Sequence, residues 1–315
     1  MNQLETLRRR LQLIRLVDRP HLYPSKQTLI ERLSVDFDAV SDRTVERDIE
    51  SIAKSYQIYI RHNRTRGGYY LDLPTDEDVA DFEQFVQLLE RRERLEFLTS
   101  AVDGSRGVGQ YLQLERAASV NGAEHLPVLW QALRSGRCVT FTYQKFNEEA
   151  HPESLRLIEP GLLFEYRNRW YLDGQDAIDR RPRTFGVDRI VDLRLTDQPI
   201  HRSDADTHRT DRRHAIGVTC PADAEPQRVV LRFTAQEGKY VVSLPLHPSQ
   251  QMLPTTDPAY LDVALWVILN HELEREILAF GEAVEVLEPT ELRERIAARV
   301  IAMNRRYAAR AEVSG

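Results

Sequence analysis

Residues Arg169-Trp170-Tyr171-Leu172-Asp173, followed by Arg183-Thr184-Phe185-Gly186-Val187-Asp188-Arg189-Ile190, decide how the middle of this 315-residue chain is read. Each is a short run of aromatic and branched residues bounded by charge, the composition of a strand and not of a helix. Working outward, Cys138-Val139-Thr140-Phe141-Thr142-Tyr143, Arg156-Leu157-Ile158-Glu159, Gly161-Leu162-Leu163-Phe164 and Ile190-Val191-Asp192-Leu193-Arg194-Leu195 repeat the pattern. Short strands in such close succession predict a small β-barrel, entered through a helix over Leu126–Leu133.

The N-terminal segment reads differently. Leu4, Leu7, Leu11, Ile14 and Val17 recur at three- and four-residue steps, which predicts an amphipathic helix over Leu7–Arg19 that stops near Pro20. Ser25 is placed to cap a second helix, Lys26–Ser34. In the third, Ser41 caps while Val45, Ile49 and Ile52 pack inward, leaving Asp42, Arg43, Thr44 and Arg47 outward. Ile58–Ile60 and Tyr69–Leu71 are strand-like and enclose His62-Asn63-Arg64-Thr65-Arg66-Gly67-Gly68, a basic turn with glycines where a hairpin needs positive φ. Three helices and a hairpin predict a winged helix-turn-helix over residues 1–73.

Charge supports that division. Net charge is −6, but residues 1–72 hold 13 Lys/Arg against 10 Asp/Glu, leaving +3 there and −9 on the remaining 243 residues. Length allows two to three domains, and 42% hydrophobic with 29% charged residues is an ordinary soluble composition without an 18-residue apolar window or a signal-peptide pattern. A cytoplasmic protein with no membrane partner is expected. Cys138 and Cys220 lack C-x-x-C spacing, so both are expected as buried small hydrophobes.

Residues 74–124 read as a helical connector: Pro74 and the acidic residues after it open a helix continued by Phe82, Phe85, Leu88 and Leu89, and a second helix starts near Tyr111. Gly104, Gly107 and Gly109 between them fit neither a P-loop nor G-x-G-x-x-G and read as a loop. Residues 201–226 read as a polar linker; His201, His208 and His214 lack the paired spacing of a metal site, so no metal or cofactor is expected. Beyond it come a strand at Val229–Phe233, a helix at Leu261–Asn270, a strand at Val284–Leu287 and a helix at Pro289–Tyr307, an α+β module over 227–315.

Three sets of residues carry family resemblances. Ser41, Arg43, Thr44, Arg47 and Asp48 resemble the recognition helix of DeoR-type winged helices. Tyr143, Arg156, Pro160, Trp170, Tyr171, Leu172, Arg183, Phe185, Asp188, Arg189 and Ile190 resemble the WYL domain, which implies an Sm-like β-barrel over 125–200 that binds nucleic acid or nucleotide. Gly186 departs from that pattern, where a larger residue is often found. Glu272-Leu273, Ile277–Gly281, Val286–Pro289 and Leu292-Arg293 are similar to the WCX extension, which implies dimerisation and transmission of ligand state. The whole is then an α+β multidomain chain.

The winged-helix and WYL resemblances together imply a bacterial ligand-responsive transcriptional regulator, more often a repressor in phage-defence settings and an activator in DNA-damage responses. Here a repressor is expected, as a homodimer on palindromic double-stranded operator DNA. Arg43 and Arg47 lie one turn apart, spaced to read guanine edges or grip phosphate, and Arg64 and Arg66 on the wing to reach the backbone or minor groove. Their alternative is pairing with Glu46, Asp48 or Glu50 on a solvated helix. Tyr143, Arg156, Tyr171, Arg183 and Arg189 are the expected ligand residues, since guanidinium groups hold phosphate and aromatic rings stack on bases. Trp170 and Leu172 are expected in the core, and Arg189 has a salt bridge to Asp188 or Asp192 as its alternative. No G-x-S-x-G, H-E-x-x-H, kinase or nucleotide-fold constellation is present, and His271-Glu272 lacks the second histidine of a zincin, so no enzyme is expected. The other functional class open to the sequence is a nucleic-acid-processing accessory protein whose WYL domain binds single strands directly.

Overall fold

The computed structural model describes residues 3–18, 22–73, 75–103, 122–144, 154–200, 212–221 and 224–311. They belong to two units, Met1–Glu115 and Arg116–Gly315. The expected stop at Pro20, the loop at Gly104–Gly109, the helix from Tyr111 and two of the three linker histidines, His201 and His208, lie outside the described residues.

In the N-terminal unit, α1 (Gln3–Val17), α2 (Lys26–Leu33) and α3 (Asp42–Tyr56) precede a hairpin of β1 (Ile60–Asn63) and β2 (Gly68–Leu71), and α4 (Asp76–Asp103) follows. One core joins them all: Leu7, Leu11, Ile14 and Val17 of α1 meet Leu29 and Leu33 of α2 and Val45 and Ile52 of α3. Phe82 and Leu89 of α4 are buried in the same core, so the expected connector helix is part of this packing. Both serine caps form, Ser25 Oγ accepting from Thr28 N at 3.1 Å and Ser41 Oγ from Thr44 N at 3.4 Å. Gly67 takes the turn's positive φ, +69°. Gly68 serves another purpose, since a Cβ there would lie 1.9 Å from the Tyr23 carbonyl oxygen, where the hairpin rests on the chain before α2.

In the second unit, α5 (Leu126–Ser135) leads into an antiparallel sheet of β3 (Arg137–Tyr143), β4 (Ser154–Tyr166), β5 (Arg169–Asp176), β6 (Pro182–Gly186) and β7 (Ile190–Pro199). Sheet order is β6-β5-β4-β3-β7, so its two edges are consecutive in the chain, separated by one 3-10 turn at Val187–Arg189. A sheet whose outermost strands meet within three residues must be strongly curved. Inside the curve lie Val139, Phe141 and Tyr143, alternating with Thr140 and Thr142, together with Ile158, Leu172, Phe185 and Ile190. Leu129 and Ala132 of α5 close one side. The two strands expected at Arg156–Glu159 and Gly161–Phe164 are one strand, β4, with a register shift between Pro160 and Leu162. Proline and glycine mark a bulge there rather than a chain reversal.

The remainder is β8 (Gln227–Thr234), α6 (Ala235–Ser243), β9 (Gln251–Leu253), β10 (Tyr260–Val267), α7 (His271–Ala279), β11 (Val284–Glu288) and α8 (Thr290–Ala311). Antiparallel pairing in the order β11-β8-β10-β9 makes this a split β-α-β-β-α-β arrangement with one added helix. It corrects the expected helix at Leu261–Asn270, which is β10, the strand between β8 and β9. Val263, Leu265 and Val267 enter the core on one face, and Asp262 and Ala264 are buried on the other. Where both faces are buried, as over Asp262–Leu265, a strand loses its alternation and reads as one apolar run, even with Tyr260 and Trp266 exposed at its ends.

Residues 212–221, expected as linker, are fastened to this module. Ile216 is in its core, and Asn270 Nδ2 donates to the Ile216 and Thr219 carbonyls at 2.8 and 2.7 Å. His247 holds the Arg213 carbonyl at 3.0 Å through Nε2, while Nδ1 accepts from Ser249 N at 3.1 Å. This fixes a neutral imidazole, whose pKa burial pushes below the usual range, with His214 adding to the effect and the bond to Arg213 opposing it. Cys138 is buried as expected, but Cys220 is only partly so.

A depressed folded-state pKa means that His247 contributes stability above the unfolded histidine pKa and loses it as pH falls through the folded value. Thermal melts at about pH 7 and about pH 5 will therefore show a larger acid loss for the natural chain than for His247→Gln, which keeps a donor without titrating. Equal losses in both would show that this imidazole is not buried neutral.

Candidate nucleic-acid interface and ligand site

The outer face of α3 is set from behind. Arg9 and Asp48, each with its side chain 1% exposed, form an ion pair at 2.6 Å between α1 and α3, and Arg10 reaches the same carboxylate at 3.2 Å. Asp48 is therefore committed to α1, and Glu46 pairs with Lys26. Among the described residues no ion pair holds Arg43 or Arg47, so the alternative of pairing along α3 is not what the side chains do. Both arginines are exposed, with Thr44 half-buried between them beside the Ser41 cap. On the hairpin turn Arg64 is exposed, and the Arg66 guanidinium lies 5.1 Å from the Tyr23 ring centroid. Sequence reasoning had no signal for Arg9 and Arg10 as partners of Asp48, because the pairing spans nearly forty residues.

The five expected ligand residues fall into three places on the curved sheet. Tyr143 and Arg189 meet at the β6–β7 turn: the phenol oxygen accepts from Gly186 N at 3.0 Å, and the Arg189 guanidinium lies 5.0 Å from the ring centroid. Burial pushes the Tyr143 phenol pKa up, against the lowering effects of the Gly186 bond and of Arg189. Asp188 pairs with Arg169 at 2.6 Å. A Cβ at Gly186 would lie 2.7 Å from Asp188 Oδ1 and 3.1 Å from the Arg189 guanidinium, so a larger residue there would displace the tips of those two side chains.

Arg156 and Arg183 converge from β4 and β6 on Asp176 of β5, at 3.7 and 3.9 Å, on the inward-facing side of the sheet. Arg183 also binds Asp179 at 2.6 Å. Among the described residues, Nε of both arginines is out of solvent without a hydrogen-bond partner, so each guanidinium keeps one N–H donor unspent. Tyr171 belongs to the other face of β5, where it stacks on Phe164 at 5.4 Å and 21°. Leu172 between these positions is wholly buried and Trp170 packs against the same core, as the sequence led us to expect.

Sequence reasoning missed Phe164, Asp173 and Arg212. The Arg212 guanidinium lies 3.8 Å from the Phe164 ring centroid and binds Asp173 at 2.5 Å. Asp173 also accepts from Thr184 Oγ1 at 2.6 Å. Arg212 stands in a polar stretch without period, and nothing local marks its partner.

The fold and these basic and aromatic clusters define a chain built from a helical N-terminal unit and two small α+β modules. The model of the WYL domain matches residues 124–195, and that of the WCX domain matches residues 225–303; the chain carries both. No curated protein matches it. Among solved structures, Proteasome accessory factor B/C (PafBC) of Arthrobacter aurescens aligns at 17% identity over 95% of this chain and 46% of its own, with a TM-score of 0.29. This chain thus spans a little under half of that protein's length. A crystallised CRISPR Cas-related protein aligns at 13% identity over 97% of this chain and 84% of its own, with a TM-score of 0.37. Among the described residues no helix is long and apolar enough to cross a membrane.

Removing one member of a buried ion pair leaves the other charged and unsolvated, at about 3–5 kcal/mol. Arg9→Ala leaves Asp48 only its longer pair with Arg10, so it should destabilise the N-terminal unit by the lower end of that range, while Arg9→Met with Asp48→Leu should restore most of the loss. Helix-sensitive circular dichroism across a thermal melt reads both.

Proposed function

We propose that this chain is a bacterial, cytoplasmic, sequence-specific DNA-binding transcriptional regulator without enzymatic activity, acting as a repressor and as a homodimer on a palindromic operator. Residues 1–73 are its DeoR-type winged helix-turn-helix, and the WYL domain, as an Sm-like barrel, holds a nucleic-acid or nucleotide effector. The observation that carries this reading is the pair Arg43 and Arg47, exposed one turn apart on a helix anchored from behind by a buried ion pair. A helix so presented fits the major groove, and its arginines have the donor geometry for guanine O6 and N7. The hairpin with Arg64 and Arg66 supplies backbone contacts alongside.

For the effector, two orphan Nε–H donors on Arg156 and Arg183 suit an anionic oxygen, and the half-exposed Tyr171–Phe164 stack suits a ring. WCX supports pairing of two copies, with ligand state biasing the spacing of the two winged helices. Control of phage-defence or DNA-damage genes completes the reading and rests on the domain resemblance alone.

A mobility-shift titration on the protein's own upstream region against random duplex, at one near-physiological salt concentration, tests the reading. Specific retardation that short single-stranded oligonucleotides release supports it; equal weak binding to every duplex overturns it. Arg43→Ala or Arg47→Ala should cost about 1–3 kcal/mol on the operator and little on random DNA if the residue reads a base. Arg183→Ala should remove the oligonucleotide response while leaving operator retardation measurable.

A further inference from the structure

Arg212 lies between two modules, bonded directly to one and joined to the other through its own segment. Toward the WYL domain it covers Phe164, the stacking partner of Tyr171, and binds the Asp173 carboxylate. Within its own segment its Nη1 and Nη2 both donate to the Val218 carbonyl at 3.1 Å, and Nη1 to that of Gly217 at 3.3 Å. The guanidinium thereby folds residues 212–218 back on themselves. The far side of that fold is held by α7: Glu272 Oε1 accepts from Val218 N, Thr219 N and Thr219 Oγ1 at 3.3, 3.1 and 3.0 Å. Gly217, at φ +95°, sits so close that a Cβ would lie 2.4 Å from Glu272 Cγ.

We propose that Arg212 is the positioning residue that couples the outer aromatic face of the WYL domain to α7 of the WCX domain. A ring bound against Tyr171 and Phe164 shifts the surface on which Arg212 rests, and the strap 212–219 carries that shift to Glu272. The ligand part of this inference rests on the effector reading above; the mechanical part does not. A planar guanidinium is needed, because only a fork with several donors can lie on a ring, meet a carboxylate and close two carbonyls together. Lysine keeps the charge and loses the fork.

Cys220, the residue after Thr219, is a half-buried thiol at the end of the strap and reports its opening, while Cys138 is fully buried in the sheet. The experiment compares Cys220 modification by a chromogenic aryl disulfide in the full natural chain, Arg212→Met, Arg212→Lys and Asp173→Asn. Each is measured with and without a mixed-sequence single-stranded oligonucleotide whose binding is followed separately by anisotropy. We expect modification about tenfold faster or more in Arg212→Met without oligonucleotide, since losing hydrogen bonds to a charged group shifts a local opening by that factor. Asp173→Asn should move the same way, and Arg212→Lys should remain fast. Oligonucleotide should change the natural chain's rate and leave that of Arg212→Met unmoved although it still binds.

Natural-chain rates in both Arg212→Met and the milder Asp173→Asn would overturn the coupling, as would a rate in the natural chain that bound oligonucleotide does not alter. If oligonucleotide binds no variant at all, the effector reading fails, while the ligand-free comparison still decides whether Arg212 holds the strap.

Discussion

Val187, Asp188 and Arg189 are all that separates β6 from β7, and most of the central architecture follows from that brevity. Two edge strands joined by one turn cannot lie in a flat five-stranded sheet, so the sheet curls and its inner face becomes the core. The turn is gripped from several directions. Tyr143 accepts from Gly186, the His125 ring reaches the Ile190 carbonyl at 2.9 Å, and Gly122 stands where a Cβ would meet the Val187 carbonyl group at 2.6 Å. Phe141, Tyr143 and Phe185 pack edge-to-face behind it, with ring centroids 4.9 to 6.3 Å apart. Residues that read as a ligand signature are, at this corner, also the clasp of the sheet.

Arginine is the recurrent tool in this chain, and its surroundings sort its uses. Arg9 is sealed against Asp48 and fixes where α3 stands; Arg43 and Arg47 on that helix's outer face stay exposed. Arg156 and Arg183 are intermediate: they share Asp176 at long range and each keeps a buried donor in reserve. Arg212 is saturated and serves as a joint. A second tie runs beside it, where the Tyr166 phenol donates to Glu276 of α7 at 3.0 Å and Arg167 pairs with the same carboxylate. Burial, then the bond to Glu276 and its charge, push that phenol's pKa up to about 12, so it stays a donor throughout the physiological range.

Much of this was legible in the sequence wherever one face is buried and the other wet. The serine caps and i, i+4 spacing located α2 and α3, and alternation located β3. Legibility failed where that contrast disappears. β10 is buried on both faces over Asp262–Leu265, so its middle shows no period, although Tyr260 and Trp266 at its ends are exposed. α6 is short and carries Gly238 in its middle, which reads as a break; the glycine is there because a Cβ would lie 2.7 Å from Leu261 Cβ. Site residues divide the same way. Arg43 and Arg47 are local to a recognisable helix, whereas Arg9 with Asp48 and Arg212 with Asp173 pair across nearly forty residues and leave no pattern in a single chain.

The bulge in β4 decides which side chains belong to which surface. Ile158 and Leu163 both face the core although an odd number of positions separates them, because Gly161 is an extra residue against β5. That one residue turns Phe164 and Tyr166 outward, toward Arg212 and Glu276, while Arg156 upstream stays on the inner side. The inner and outer surfaces of β4 are thus phased by a count along a single strand. Deleting Gly161 would leave every β4 residue opposite its present β5 partner and on its present face, whereas drawing Gly161 into the ladder would carry Phe164 and Tyr166 to the inner side, so what these surfaces require is that the extra residue stay outside the pairing.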